Sequence, residues 1–293
     1  MGLFKGSGVA IITPFTKDDK VDFAKLSELL EFHVENKTDA IIICGTTGES
    51  ATLNDKEHKD AIEYTVEVIN GRIPVIAGTG SNDTAYAIEM SKHAESVGVD
   101  GLLVVTPYYN KATDLGLIKH FTKIADSVNI PIILYNVPGR TGVNLKASVV
   151  AELSKHKNIQ GVKEASGDLG LATEIARLCP DDFFIYSGND DIVVPTLSIG
   201  GSGVISVIAN ILPLETHDMV MSYLDGDIKK SRELQLKMKP LIDSLFTEPN
   251  PIPVKTAMNL LGYEVGDLRL PLCEMSEGNL KILTDNMSKY GLL

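Results

Sequence analysis

Short runs that are apolar at successive positions recur at near-regular intervals, each followed by Gly, Pro, Thr or Asn and then by a stretch with helical spacing. The runs are Gly8–Ile12, Ala40–Cys44, Pro74–Ala77, Gly101–Val105, Pro131–Tyr135, Ile159–Lys163, Phe183–Tyr186 and Gly203–Val207. Residues apolar on both faces suit parallel strands covered on both sides, and the intervening segments, such as Asp83–Val97 and Asp114–Val128, carry an apolar 3.6-residue period. Eight alternating βα units predict an α/β fold, a (β/α)₈ barrel occupying residues 1–225; a typical barrel of this kind has about 250 residues. An open doubly wound sheet is the structural alternative. No run is followed by GxGxxG, and Gly78-Thr79-Gly80 lacks the third glycine of a dinucleotide site. After residue 225 the pattern predicts helices only: Lys229–Phe246 interrupted at Pro240, Pro253–Leu261 and Glu277–Tyr290. This 226–293 region reads as a helical cap or subunit interface, without chemistry of its own.

Composition adds exclusions. In 293 residues, 27 basic against 39 acidic side chains leave a formal charge of −12, which repels nucleic acid and anionic lipid. Cys44, Cys179 and Cys273 are odd in number and widely spaced, with no zinc-ligand pattern, and read as buried thiols in a reducing compartment. The only early apolar run, Val9–Ile12, is too short for an export signal, and Gly6 stands where N-myristoylation of a Met1-Gly2 start needs Ser or Thr. The expected location is the cytoplasm, with no membrane anchor.

In such barrels catalytic groups come from the C-terminal strand ends and the loops after them. Here those positions are polar and hydroxyl-rich: Gly45-Thr46-Thr47-Gly48-Glu49-Ser50 after the second run, Thr106-Pro107-Tyr108-Tyr109-Asn110 after the fourth, and Tyr135–Gly142 after the fifth. Lys163 ends the sixth, and Ser187-Gly188-Asn189 and Ser206 follow the last two. A strand-end lysine taken alone is more often a rim group that snorkels to water. Where burial disfavours the ammonium form, however, a lysine supplies the free amine that attacks a carbonyl to form an imine. Imine chemistry also needs a proton shuttle, and Tyr135 on the adjacent strand could serve, with Thr46 and Tyr109 extending it into a hydroxyl chain. Each of these hydroxyls alone reads as structural. The two glycines around Thr46-Thr47 let backbone N–H groups face a carboxylate, and Arg140 could hold a second carboxylate or merely be an exposed turn arginine.

Taken together, Gly45–Leu53, Thr106–Asn110, Tyr135–Gly142, Gly161–Glu164 and Gly203–Ser206 resemble, nearly end to end, the dihydrodipicolinate synthase family within the N-acetylneuraminate lyase superfamily of Schiff-base aldolases. The resemblance implies condensation of pyruvate with L-aspartate 4-semialdehyde to 4-hydroxy-tetrahydrodipicolinate on the diaminopimelate route to lysine, without metal or cofactor. It implies Lys163 as the imine-forming lysine and Tyr135 as proton donor and acceptor. Thr46 and Tyr109 would be the remaining relay members, Tyr109 delivered by a neighbouring subunit. Thr47 and Ile205 would hold pyruvate, Gly188 line its pocket, and Arg140 meet the semialdehyde carboxylate. The usual assembly is a homotetramer of two dimers, and a relay completed across a subunit boundary needs at least a homodimer. N-acetylneuraminate lyases and 2-keto-3-deoxy-acid aldolases share the lysine and tyrosine and are the enzymatic alternatives. A keto-acid-binding or structural barrel is the non-enzymatic one.

Lysine-sensitive members bind lysine near the positions of Ser50, His58, Asn82 and Tyr108. Here Asp55 stands where they often have histidine, and Tyr86 where they place glutamate. With these departures, Asp55 and His58 read as surface helix residues. Inhibition by lysine is expected to be weak or absent, and a titration giving an inhibition constant well below millimolar would overturn this.

Overall fold

The computed structural model describes residues 3–293; the reading of the Met1-Gly2 start concerns residues outside that range. Eight strands run parallel and in chain order around a closed barrel: β1 (Gly6–Ala10), β2 (Ala40–Ile43), β3 (Val75–Gly78), β4 (Gly101–Val105), β5 (Ile132–Asn136), β6 (Ile159–Glu164), β7 (Phe184–Ser187) and β8 (Gly203–Ser206), which closes on β1. This is the barrel expected, and closure rules out the open sheet. Most predicted runs coincide with their strands to within one residue. The first strand lies two residues earlier than predicted, because the last bond to β2 is from Ile11 N–H to the Ile42 carbonyl and Ile12 N–H donates to the Asn210 side chain instead.

Helices α1 (Phe23–Glu35), α2 (Asp55–Ile69), α3 (Thr84–Ser96), α4 (Asp114–Ala125), α5 (Pro138–Thr141), α6 (Ala147–Leu153), α7 (Leu169–Leu178) and α8 (Val193–Ser198) follow the strands. After β8 come α9 (Pro213–Leu224), α10 (Ile228–Ser244), α11 (Ile252–Leu260) and α12 (Glu277–Tyr290). Asn54 caps α2 in a reciprocal capping box with Glu57, and Asp22, Asp83, Thr113, Asp168 and Asp227 cap α1, α3, α4, α7 and α10. The interruption expected at Pro240 is absent: α10 runs through it. Proline there removes the helical donor to the Leu236 carbonyl, and Leu236 is 65% exposed, so water can take that place.

Strand alternation divides the core into two layers. Ile41, Ile43, Leu102, Leu134 and Val162 pack outward against the helices, whereas Ala10, Ile42, Ile76, Leu103, Ile133, Tyr135, Tyr186 and Ile205 fill the barrel. Phe4 stacks on Tyr186 at 4.6 Å between centroids, and the Tyr186 hydroxyl donates to the Phe4 carbonyl at 2.6 Å. Cys44 and Cys179 are buried as expected. Cys273 is exposed, since it lies in the irregular stretch between α11 and α12, away from the barrel. Among the described residues no helix is long and apolar enough to cross a membrane.

Candidate active site

Tyr135 and Lys163 are register partners at the ends of β5 and β6, and Lys163 in turn faces Tyr186 on β7. Their even spacing from Ile133 and Gly161 points both side chains inward, where Lys163 is 5% and Tyr135 6% exposed. Lys163 Nζ lies 4.5 Å from the centroid of the Tyr135 ring. The next residues along, Asn136 and Glu164, face the other way and lock the two strand ends together. Asn136 Nδ2 donates to Glu164 Oε2 at 2.8 Å, Ser166 N–H donates to Glu164 Oε1 at 2.6 Å, and Asn136 Oδ1 accepts from Leu145 N–H at 2.9 Å. Burial pushes the Glu164 carboxyl above the usual carboxylate range despite these donors. In the sequence, nothing marks Asn136 and Glu164 beyond their being polar residues next to Tyr135 and Lys163.

Asp190, fully buried after β7, accepts from the Val207 and Ile208 N–H groups, both at 2.9 Å, and so fixes the turn that follows β8. Burial raises its pKa, against the pull of the Ile208, Ser206 and Val207 donors and of the Lys163 charge. Nothing local in the sequence marks Asp190, because Asp190-Asp191 resembles any solvated acidic turn.

The loop after β2 is shaped by its ends. Gly48 N–H donates to the Gly45 carbonyl and Glu49 N–H to the Thr46 carbonyl, both at 3.1 Å, whereas among the described residues the Thr46 and Thr47 N–H groups donate to no protein acceptor. Two unspent donors beside buried Thr47 and half-buried Thr46 suit a small anion. Glycine at 48 avoids a tight contact, since a Cβ there would stand 3.1 Å from the Ile11 carbonyl oxygen. The loop is anchored by Glu49, which takes a left-handed φ of 53°. Its buried carboxylate accepts from Lys255 Nζ at 2.8 Å and from Arg269 N–H at 3.0 Å.

Ile205 is fully buried in the barrel interior. Gly188 N–H donates to the Glu164 carbonyl at 2.7 Å, and a Cβ there would meet that of Ala165 at 2.5 Å, so glycine keeps β7 close against the end of β6. Arg140 is exposed on the short helix α5, with one terminal nitrogen donating to the Asn250 carbonyl at 2.9 Å. Tyr109 is 91% exposed with a left-handed φ of 68° and touches little of its own chain. A single chain therefore does not join it to Thr46 and Tyr135.

Of the positions associated with lysine binding, Ser50 is half-buried, Asn82 is exposed with Nδ2 3.4 Å from the Tyr108 carbonyl, and Tyr108 is 40% exposed. His58 is no surface residue. It is 8% exposed with Nε2 2.8 Å from the Gly78 carbonyl, because it lies on the inward stripe of α2 with Ala61, Ile62 and Thr65. Burial lowers its pKa. Asp55 is exposed and accepts from the Tyr86 hydroxyl at 2.7 Å, so the two departures from the family pattern are partners of each other. Partial burial, reinforced by the Asp55 carboxylate, pushes the Tyr86 phenol up to about 12.

A closed parallel barrel with a buried lysine–tyrosine pair at its carboxyl mouth, flanked by a loop with unspent N–H groups, defines a (β/α)₈-barrel lyase. Residues 3–289 match the Dihydrodipicolinate synthetase family. The chain belongs to that family. The 4-hydroxy-tetrahydrodipicolinate synthase of Thermoanaerobacter sp. (strain X514) is 60% identical over 294 residues, spanning 100% of this chain and 99% of that one. Dihydrodipicolinate synthase from Aquifex aeolicus superposes with a TM-score of 0.96 at 45% identity, covering 99% of both chains. The chloride-inhibited dihydrodipicolinate synthase of Acinetobacter baumannii, complexed with pyruvate, gives 0.97 at 40% identity over 99% of this chain and 100% of that one.

Proposed function

We propose that the protein condenses pyruvate with L-aspartate 4-semialdehyde through an imine on Lys163, giving 4-hydroxy-tetrahydrodipicolinate. The observation that carries this reading is the pairing of buried Lys163 with buried Tyr135 on adjacent strand ends, in a chain of this family. The neutral amine of Lys163 attacks the keto carbon of pyruvate, and Tyr135 protonates the departing hydroxyl of the carbinolamine, so that water leaves and an iminium remains. Loss of a methyl proton gives the enamine, with the iminium nitrogen taking up the electron pair. The enamine carbon attacks the aldehyde of the second substrate. That substrate's amine then adds to the imine carbon and displaces Lys163, closing the ring.

The Thr46 and Thr47 N–H groups and the Thr47 hydroxyl receive the pyruvate carboxylate, with Ile205 and Gly188 lining the pocket. Thr46 hands protons on from Tyr135, and Arg140 meets the semialdehyde carboxylate at the entrance. The exposed ring of Tyr109 completes the relay in a neighbouring subunit, so the working assembly is a homodimer or a homotetramer of two dimers, in the cytoplasm. No cofactor is needed, because the iminium itself is the electron sink. Ser50, Asn82 and Tyr108 would border any lysine site, and the Tyr86–Asp55 hydrogen bond spends the groups nearest it.

Incubation with pyruvate and borohydride, followed by peptide mass spectrometry, is expected to place a reduced pyruvate adduct on Lys163; an unmodified Lys163 would sink the reading. Product formation from pyruvate and the semialdehyde should exceed N-acetylneuraminate cleavage by orders of magnitude, on the order of 10³-fold or more for sites built to different polar partners.

A further inference from the structure

The segment between α10 and α11 reaches back over the barrel mouth at one residue. Asn250, flanked by Pro249 and Pro251, is 5% exposed and contacts both halves of the site. Its side-chain Nδ2 donates to Thr47 Oγ1 at 2.9 Å, and its backbone carbonyl accepts from Arg140 at 2.9 Å. Its Oδ1 is buried and has no hydrogen-bond partner. An asparagine retained only for stability would satisfy both ends of its amide, since an unpaired buried acceptor is costly.

A threonine hydroxyl has one proton and two acceptor lone pairs. When the Asn250 amide occupies a lone pair of Thr47 Oγ1, the hydroxyl proton is left to point elsewhere, and the unspent Thr46 and Thr47 N–H groups lie in the same loop. An anion resting there can then meet three donors, the two N–H groups and the Thr47 hydroxyl. We propose that Asn250 is a positioning residue that fixes the Thr47 hydroxyl as a donor to the pyruvate carboxylate, while its backbone separately steadies Arg140. This rests on the function proposed above. It gives the C-terminal region a part in substrate recognition, where the sequence pattern suggests only a helical cap or subunit interface.

The side-chain and main-chain contacts separate by mutation. Asn250→Ala keeps the carbonyl that Arg140 uses and should lower kcat/KM for pyruvate about tenfold, leaving kcat/KM for the semialdehyde within about threefold at saturating pyruvate. Asn250→Asp, nearly isosteric, can only accept, so it turns the Thr47 proton toward itself and adds a negative charge beside the carboxylate. The loss for pyruvate should reach about a hundredfold. In a Thr47→Val background the Asn250→Ala loss should shrink to within about twofold. Equal losses for both substrates, an undiminished loss in the Thr47→Val background, or failure of both Asn250 variants to fold would overturn the assignment. Borohydride trapping on the wild type distinguishes the two readings. Without a Lys163 adduct the function itself falls, whereas an adduct together with unaltered pyruvate kinetics in the Asn250 variants removes this proposal alone.

Discussion

Lys163→Met is expected to lower kcat for the condensation by roughly 10⁴-fold or more, because no other group can form the imine and the uncatalysed enolisation of pyruvate must then be met by positioning alone. Methionine preserves the stem that packs inside the barrel between Tyr135 and Tyr186. The variant also removes a polar amine that is 5% exposed and lies 4.5 Å from the centroid of the Tyr135 ring, while losing its interaction with buried Asp190. Unfolding should therefore occur close to the wild-type temperature. The combination is diagnostic: activity lost with stability kept marks a group retained for chemistry. Steady-state kinetics with a thermal melt provides both readouts. A variant retaining more than about one-hundredth of wild-type kcat would exclude covalent catalysis at this residue.

The barrel was legible because each strand is buried on both faces, so its apolar run is continuous and its ends are marked by Gly, Pro or polar residues. The strand-end rule then led straight to Lys163 and Tyr135, whose register pairing follows from chain-order closure. What the pattern could not show was which distant segments come back to the site. Asn250 lies 203 positions from Thr47, and Lys255 lies 206 from Glu49. Neither has a local signal beyond a polar residue between prolines or a lysine in a short helix. His58 was misread for a related reason, since a histidine on a charged helix looks solvated until the inward stripe of that helix is known. Tyr109 remains the opposite case. It is 91% exposed with a left-handed backbone, and the partner surface that the proposed relay needs cannot be read from one chain.

Lys255→Met is expected to have the largest effect on stability, about 3–5 kcal/mol, or roughly 5–10 °C in melting temperature for a chain of this size. The Lys255 and Glu49 side chains are 1% and 0% exposed, and Lys255 also donates to the Asp267 carbonyl at 2.8 Å and sits 4.0 Å from the centroid of the Phe15 ring. Burial lowers the Lys255 pKa in spite of the neighbouring Glu49 charge, and a buried pair of this kind is weak evidence of net stabilisation. Its use is geometric. It pins Glu49, and with it the left-handed turn that ends the Gly45–Glu49 loop, to the segment carrying Arg269, which itself grips Glu57 at the start of α2. Methionine at 255 leaves the Glu49 carboxylate buried with only the Arg269 N–H, and the loop must distort to hydrate it. Adding Glu49→Gln to Lys255→Met removes that stranded charge and should recover about half of the lost stability or more. It should not restore kcat/KM for pyruvate, because a neutral amide no longer draws the C-terminal segment onto the loop. Denaturant unfolding of the single and double variants, read beside pyruvate kinetics, tests both halves of the argument. A loss below about 1 kcal/mol in Lys255→Met, the range of a surface pair, would show that the loop is held by something else.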